Sequence, residues 1–412
     1  MKTDVSNTSA TPAQPGAAWG AVLAMAMAAF ALVASEFMPV SLLTPIAGDL
    51  AVSEGMAGQA IAVSGAFALI TSLCTASMAG HLDRKRLLAG LTLLMVVSGT
   101  VVAFAPNYAI FIVGRALIGV AIGGFWSMSA ATAMRLVPAD KVPRALAILN
   151  SGNALATVIA APLGSFLGSI IGWRMAFFAV VPVAVIALCW KLFSLPAMKA
   201  EPGRRSGNVF KLLTRRPVAL GMAASSLFFM GQFSLYTYLR PFLENVTQVE
   251  VSTLSLLLLL VGIAGFIGTL LIGGFLKNGV HSTLTVIPVL MALIAFGLIQ
   301  LGDSLTLTAG LLGLWGLVAT AAPVGWWTWL ARVMPHDAEA GGGLLVAVVQ
   351  LAIMLGATLG GVLFDHYGYA ATFQMSAALL VISAVLTIMT GRAEACESQT
   401  AAVSGQAVHN GA

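Results

Sequence analysis

The stretch WGAVLAMAMAAFALVASEFMPVSLLTP, from Trp19 to Pro45, decides the fold of this chain. It is apolar almost throughout, and Glu36 is its one charged residue. About 20 apolar residues rising ~1.5 Å each cross the ~30 Å hydrocarbon core of a bilayer, so the stretch is long enough to span one. A charged side chain at mid-membrane costs roughly 2.5–3.5 kcal/mol. The stretch therefore predicts a transmembrane helix whose buried carboxylate is kept for a function.

The composition of the whole chain indicates a membrane protein with many spans. Hydrophobic residues make up 59% of its 412 residues and charged residues only 8%, whereas a soluble domain is usually about a quarter charged. The net charge of +5 comes from lysines and arginines in short segments between apolar runs, which is where membrane topology places them. We therefore expect the lipid bilayer as a partner and no nucleic acid.

Hydropathy and helix breakers predict twelve transmembrane helices. Their approximate bounds are 19–43, 55–80, 87–105, 108–136, 143–171, 174–195, 217–240, 253–276, 282–301, 304–333, 342–364 and 369–390. The polar segment before the first span lacks the pattern of a signal peptide, so that span is expected to be retained.

The longest internal connection divides the chain into two sets of six helices. We expect a cytoplasmic N-terminal tail, an N-terminal six-helix half, a central cytoplasmic loop, a C-terminal six-helix half and a disordered cytoplasmic C-terminal tail. These segments cover 1–18, 19–195, 196–216, 217–390 and 391–412, respectively.

The positions of the basic residues predict the orientation. With the N-terminus in the cytoplasm, 17 of the 20 lysines and arginines fall inside, Lys191 among them. Only Arg174 and Arg240 fall outside, and Arg115 lies within the membrane. This distribution satisfies the positive-inside rule and predicts that both termini are cytoplasmic.

An internal repeat supports the division into two halves. Residues between Ala161 and Phe177 recur between Ala357 and Phe373 at a constant offset of 196, and they include the pair Gly172 and Gly368. Two six-helix repeats with a substrate site near their interface are a known transporter architecture.

Motifs for enzymatic chemistry are not found in the sequence. It contains no phosphate-binding loop, no nucleophile elbow and no His/Cys cluster with metal-ligand spacing. We therefore expect no enzyme activity, no metal and no organic cofactor. Energy for any transport would come from an ion gradient or from the gradient of the solute itself.

Two motifs resemble the major facilitator superfamily. Between spans two and three the chain reads GHLDRKR from Gly80 to Arg86, which is similar to the signature loop of that superfamily without its second glycine. By resemblance, Gly80, Asp83 and Arg84 would form a conformational latch, although an ordinary basic loop is the simpler interpretation. In span four, GRALIG from Gly114 to Gly119 resembles the motif whose arginine is associated with proton coupling.

Glu36 and Arg115 are predicted to lie at similar depth. Glu36 is about nine residues from Pro45, or ~13 Å, and Arg115 is seven residues from Tyr108, or ~10 Å. The superfamily fold implies that the first and fourth helices are neighbours. Two hypotheses stay open: a carboxylate that loads and releases a proton while the transporter alternates, and a static structural arginine held by backbone carbonyls or a fixed ion pair.

A third motif resembles that of the antiporter branches of the superfamily. In span five, Ala161, Pro162, Leu163 and Gly164 match the fifth-helix motif, with Ala161 where the family has glycine. The resemblance implies antiport. Close packing of helices through small residues explains the same residues without it.

Aromatic and amide side chains inside the spans form the candidate binding set. They are Trp126, Asn150, Asn153, Gln232, Phe233, Tyr236, Trp326 and Gln350. Each on its own is typical of packing or of a hydrogen bond between helices. Together they offer flat faces for stacking and amides for edge recognition, which suits a neutral, planar solute.

Longer segments are similar to the bacterial purine ribonucleoside efflux pumps of the drug:proton antiporter branch. They include EFMPVSLLTP from Glu36, GGFWSMSA from Gly123, YLRP from Tyr238 and PVGW from Pro323. The resemblance implies export of inosine, guanosine and purine analogues in exchange for protons. We expect a monomeric, multi-pass protein of the bacterial inner membrane. Export of sugars or drugs on the same fold is one alternative, and a membrane receptor that does not transport is another.

Overall fold

The computed structural model describes residues 17–78, 83–198, 209–334 and 338–410, and all regular structure in these ranges is helical. The helices are α1 (Trp19–Asp49), α2 (Glu54–Met78), α3 (Arg84–Ala103), α4 (Tyr108–Arg135), α5 (Val142–Phe178), α6 (Val180–Ser194), α7 (Arg216–Tyr236), α8 (Leu239–Asn245), α9 (Val251–Asn278), α10 (Val280–Leu301), α11 (Leu305–Ala319), α12 (Ala322–Val333) and α13 (Ala338–Asn410). Two short 3₁₀ helices, Ala139–Lys141 and Val209–Thr214, precede α5 and α7.

Ten helical runs in the described ranges are long and apolar enough to cross a membrane. Two of them, Arg144–Ser194 and Gly341–Glu397, contain 51 and 57 residues. At ~1.5 Å per residue each would be more than twice as long as the ~30 Å hydrocarbon core. Dividing each run once brings the ten to the predicted twelve. The number of crossings and the N-in/C-in orientation stay predictions.

Glycines interrupt both long runs at equivalent places. Gly172, within α5, has φ 81° and Gly368, within α13, has φ 79°. This backbone region is open to glycine and costly for residues with a Cβ. The two residues are 196 positions apart, which is the offset of the sequence repeat. The two halves therefore share this backbone conformation as well as the repeated residues.

The two halves of the chain meet along two seams. Helix α2 packs against α13, and α5 packs against α9. Helix α1 lies inside the N-terminal half, against α5, α6 and α2. Its buried residues include Glu36 and most of the apolar residues between Ala21 and Ala47. The carboxylate identified from the sequence is therefore on the most enclosed helix of its half.

Two basic residues are buried, which the sequence did not predict. Lys191, placed by the sequence on the cytoplasmic side, is 1% exposed, and Arg240, placed on the outer side, is 5% exposed. One expectation about a segment requires correction. The tail after Gly391, expected to be disordered, continues α13 to Asn410. Part of this tail is docked, because Trp329 donates a hydrogen bond to Glu394 at 2.8 Å. Hydropathy alone could not detect either buried cation, since both lie near the ends of apolar runs.

Candidate functional site

The centre of the candidate site is a backbone carbonyl that Pro39 leaves without a hydrogen-bond donor in its own helix. In a helix the carbonyl of residue i accepts the N–H of residue i+4, and proline has no N–H. Pro39 lies inside α1, so the carbonyl of Ser35 has no intrahelical donor. Arg115 of α4 donates to that carbonyl from Nη1 at 2.7 Å. The arginine thus replaces the hydrogen bond that the proline removes.

Other acceptors complete the surroundings of the Arg115 guanidinium. Its Nη2 donates to the carbonyl of Glu36 at 3.0 Å and to the Ser64 hydroxyl at 3.3 Å, and its Nε donates to the carbonyl of Ala60 at 3.1 Å. Arg115 is completely buried. A fully hydrogen-bonded guanidinium is the form in which a buried arginine is tolerated. Of the two static alternatives, the geometry favours the arginine held by backbone carbonyls.

The Glu36 carboxylate faces the other half of the molecule. Its residue is 6% exposed, and the side-chain amide of Gln350 in α13 lies close enough to interact with it. The Arg115 charge lies near enough to act on the carboxylate. In the described part of the chain the two side chains form no direct ion pair, since the Arg115 donors contact backbone carbonyls and Ser64. Glu36 therefore faces Gln350 across the contact between the two halves.

Aromatic rings from both halves lie next to this carboxylate. Phe37 of α1 stacks on Phe233 of α7 with ring centroids 5.6 Å apart and an interplanar angle of 23°. Tyr236 meets Phe233 edge-on at 6.3 Å. Phe37 and Trp126 pack on the same small apolar cluster formed by α1 and α5. Of the sequence-predicted residues, Phe233 therefore contacts Phe37, Tyr236 contacts Phe233, and Trp126 shares an apolar cluster with Phe37.

Further polar groups lie next to Phe233 in α7 and at the seam between α2 and α13. The Gln232 side-chain oxygen is buried without a hydrogen-bond donor, and it precedes Phe233 in α7. Thr358 of α13 donates to the side chain of Gln59 of α2 at 3.1 Å. A buried acceptor without a donor is costly unless a ligand supplies the donor.

Comparison with known proteins places this architecture in a family. A family model described as the Major Facilitator Superfamily matches residues 25–345. The chain belongs to the major facilitator superfamily.

Relatives of this major facilitator protein carry two different descriptions. It is 64% identical over 390 residues to the Transcription regulatory protein OpdE of Pseudomonas aeruginosa, with 93% of this chain and 96% of that protein covered. It is 42% identical over 368 residues to the Purine ribonucleoside efflux pump NepI of Salmonella typhimurium, with 89% of this chain and 93% of the pump covered. The resemblance to the efflux pumps noted in the sequence is confirmed.

A solved structure shares the fold. The crystal structure of a bacterial homologue to the human lysosomal transporter Spinster, in an inward-facing and unoccupied conformation, matches with a TM-score of 0.73 at 17% identity. The match covers 92% of this chain and 98% of that one. The predicted all-helical major facilitator fold is therefore confirmed. The family match and the identity to an efflux pump confirm the prediction of a multi-pass protein of the bacterial inner membrane.

The antiporter-like motif of this major facilitator protein lies between α1 and the second half. Pro162 removes the donor for the Val158 carbonyl, and that carbonyl occupies the space beside Gly262 of α9, 2.7 Å from where a Cβ would stand. Gly164 lies against Ser41 of α1, and Ala161 is buried against the second half. These contacts are close packing through small residues, and the association of the motif with antiport stays a prediction.

Three candidate binding residues are placed differently from the central group. Trp326 is 2% exposed in the core of the C-terminal half, against Phe228 and Trp329. Asn150 is exposed and donates to the carbonyl of Leu146 in its own helix. Asn153 is half-buried in the same helix. The periodicity of a sequence shows that residues share a helix, but not which of them face a common cavity.

The latch residues make local contacts. Asp83 accepts from the backbone N–H groups of Lys85 and Arg86, at 2.8 and 3.4 Å, and so caps α3. The backbone N–H of Arg84 donates to the carbonyl of Met198, which lies at the start of the central loop. Gly80 lies outside the described residues. A latch role for these residues stays a prediction.

Sequence reasoning missed Phe37 and Lys191. Phe37 follows Glu36 directly, and its place in the first quoted stretch was the available signal. Lys191 of α6 donates to the Thr92 hydroxyl at 2.9 Å, and its ammonium lies 4.8 Å above the centre of the Phe125 ring. Because Lys191 lies only a few residues from the end of its span, the sequence placed it on the cytoplasmic side and gave no sign that it is buried.

Proposed function

We propose that this major facilitator transporter exports purine ribonucleosides, such as inosine, guanosine and their analogues, in exchange for protons by alternating access. The observation that carries the proposal is the Glu36 carboxylate, buried at the meeting point of the two halves with the side chain of Gln350 facing it from the other half. The 42% identity to a purine ribonucleoside efflux pump supports the substrate class. No cofactor is required, because the proton gradient supplies the energy.

Glu36 would carry the proton on its carboxylate oxygen. As a carboxylate it would accept a hydrogen bond from Gln350, which would tie α1 to α13. Protonation removes the charge from the carboxylate and weakens that bond, because charge-assisted hydrogen bonds are about twice as strong as neutral ones. The Arg115 guanidinium, fixed by four acceptors, keeps a constant positive field beside the group. A proton on Glu36 thus changes the contact between the halves while its own half stays intact.

The substrate would lie beside the rings and amides around Phe37. A purine base presents flat faces that stack on aromatic rings such as Phe37, Phe233 and Trp126. Hypoxanthine and guanine each carry a ring N–H donor, which matches the buried acceptor oxygen of Gln232. One buried acid and one fully occupied arginine suit a neutral solute better than an ionised one.

Export of sugars or mixed drugs is the alternative within the same mechanism. A sugar would use hydroxyl hydrogen bonds in place of ring stacking, and a drug would use apolar contact without the Gln232 acceptor. Competition by inosine against a labelled substrate separates these cases. Strong competition supports the nucleoside, whereas no competition at saturating inosine supports the sugar or drug.

A role in regulating transcription is a second candidate function. It is favoured by one observation, the 64% identity to a protein described as a transcription regulatory protein. Membrane helices make up most of the described residues, and an exporter can change transcription by lowering the cytoplasmic concentration of an inducer. The variant Glu36→Gln distinguishes the two. If regulation depends on transport, both are lost together; a receptor would keep its regulatory effect when transport is lost.

The deciding experiment is inosine uptake into inside-out membrane vesicles with and without an acid interior. Uptake driven by the gradient in the natural protein and lost in Glu36→Gln supports both the substrate and the proton role. Uptake that survives in Glu36→Gln would refute the proton role alone. A folded natural protein that takes up no inosine would refute the substrate class.

A further inference from the structure

A second proline on α1 leaves a carbonyl that an arginine from the other half binds. Pro45 has no N–H to give the carbonyl of Ser41, four residues earlier. Arg240, at the start of α8, donates from Nη1 to this carbonyl. The two residues are 199 positions apart, so the bond joins the N-terminal half to the C-terminal half. It has the same chemistry as the bond from Arg115 to Ser35, which stays within one half.

A partly buried acid, Glu244, holds Arg240 in position. Its Nε donates to Glu244 Oε1 at 2.8 Å, and the two side chains are 6% and 20% exposed. The other oxygen of Glu244 is buried without a partner. The helix is interrupted here, between Tyr236 at the end of α7 and Leu239 at the start of α8. Pro241 accounts for the break, since it has no N–H for the carbonyl of Thr237.

Other contacts close the same end of the bundle. Asp365 of α13 accepts from the Ser53 hydroxyl at 2.5 Å and from the backbone N–H of Gly55 at 2.9 Å. The hydroxyl of Tyr238 fills the space beside Gly58 of α2, 2.2 Å from where a Cβ would stand. Glu54 lies near the charges of Glu244 and Asp365. The Arg240 bond therefore belongs to a closed seam at the end that the sequence predicts to face outward.

We propose that Arg240 is a positioning residue that holds the outer end of the transporter closed, by giving α1 the hydrogen bond that Pro45 removes. The inference rests on the alternating access of the proposed function. It assigns Arg240 to the step in which the outer end opens. When the halves part, Ser41 loses its donor, and the carbonyl and the Arg240–Glu244 pair must be hydrated. The hydrogen bond from Arg240 to Ser41 is either formed or absent, so it is present in the closed state and absent in the open one.

The test is a distance between the two halves, measured by electron paramagnetic resonance. In a variant without Cys74, Cys189 and Cys396, spin labels on cysteines at Pro106 and Asp303 report the outer end, since both positions are exposed at that end in different halves. We expect a short distance in this parent. In Arg240→Gln the ratio of closed to open molecules should fall roughly tenfold, the effect of losing one charged hydrogen bond. An unchanged distance distribution in Arg240→Gln would overturn the inference.

Arg174→Gln is the matched control. Arg174 lies at the same end and is bound to Asp49 and to the carbonyl of Ala105, both in its own half. Its removal should leave the distance as in the parent, and an equal opening in both variants would contradict a specific role for Arg240.

Pro45→Ala tests whether the missing N–H of the proline creates the need for Arg240. It also provides an independent test if Arg240→Gln does not fold. Alanine restores the N–H, so Ser41 no longer depends on Arg240, and the longer distance should become more populated. The double variant should then be no more open than Arg240→Gln alone, because both changes remove one interaction. Additive effects would contradict the link between proline and arginine. These distances require no inosine, so a transporter for another solute would give the same result.

Discussion

Phe37 and Phe233 occupy equivalent positions in the two repeats, 196 residues apart, and they stack on each other. Residues related by a pseudo-two-fold axis can meet only where they lie next to that axis. The pair therefore marks the line along which the two halves face each other, one residue from Glu36 and one from Gln232. Pro45 and Pro241 are related by the same offset, and both are close to Arg240.

The stacked pair should contribute to substrate affinity. Phe233→Leu keeps an apolar side chain but removes the ring face, so KM for inosine should rise about 2- to 10-fold, the equivalent of ~0.5–1.5 kcal/mol for an aromatic contact. Uptake into vesicles at varied inosine concentration measures it. Phe104→Leu is the control, because Phe104 is 62% exposed and pairs with Phe178 far along the chain from the site. Equal KM values in the two variants would count against a nucleoside beside Phe37.

Replacement of Arg115 by lysine should destabilise the protein strongly. An ammonium cannot reach four acceptors in the directions that the guanidinium serves, so buried carbonyls lose their donors. We expect a loss on the order of 3 kcal/mol in unfolding free energy, measured by thermal unfolding in detergent. Arg216→Lys, at an exposed position, should change little. A stable Arg115→Lys protein that has lost transport would instead indicate a direct role in coupling.

The buried charge of Lys191 should lower the free energy of unfolding of the protein in this conformation. Its ammonium has one hydroxyl and one ring face as partners, which compensates only part of the loss of hydration. Lys191→Met, which keeps the length of the side chain, should raise the free energy of unfolding by about 1 kcal/mol or more. Lys277→Met, at an exposed position, provides the control. If Lys191→Met unfolds at a lower temperature, the charge is compensated in a way that the static contacts do not reveal.

The two glycines at the helix interruptions should respond alike. Gly172→Ala and Gly368→Ala meet no neighbouring atoms, but both positions have positive φ, so each should cost ~1–2 kcal/mol through backbone strain. Gly90→Ala in α3 also meets no atom and has no positive φ. It should be neutral or stabilising by up to about 1 kcal/mol. Unfolding temperatures of the three variants check this. A mild effect at Gly172 and a severe one at Gly368 would argue against equivalent turns.

The sequence by itself determined the class of the protein and the identity of its central acid. Long apolar stretches have few alternatives to membrane helices, because lipid offers no partner to an exposed backbone. Glu36 was identifiable since a carboxylate in such a stretch is costly. The prolines also fixed, through their missing N–H groups, which carbonyls of α1 would lack a donor. The resemblance of the motifs then named the family.

Only the tertiary structure decided which groups meet those carbonyls. Arg115 and Arg240 lie 80 and 199 residues from the carbonyls that they bind, and no local pattern encodes such a distance. The same reason explains why Trp326 packs into a core, why Lys191 is buried, and why Phe37 meets its own repeat counterpart. Helical periodicity fixes the face of a residue relative to its own helix, whereas the contact depends on how two helices are rotated against each other, which is set by packing over the whole bundle.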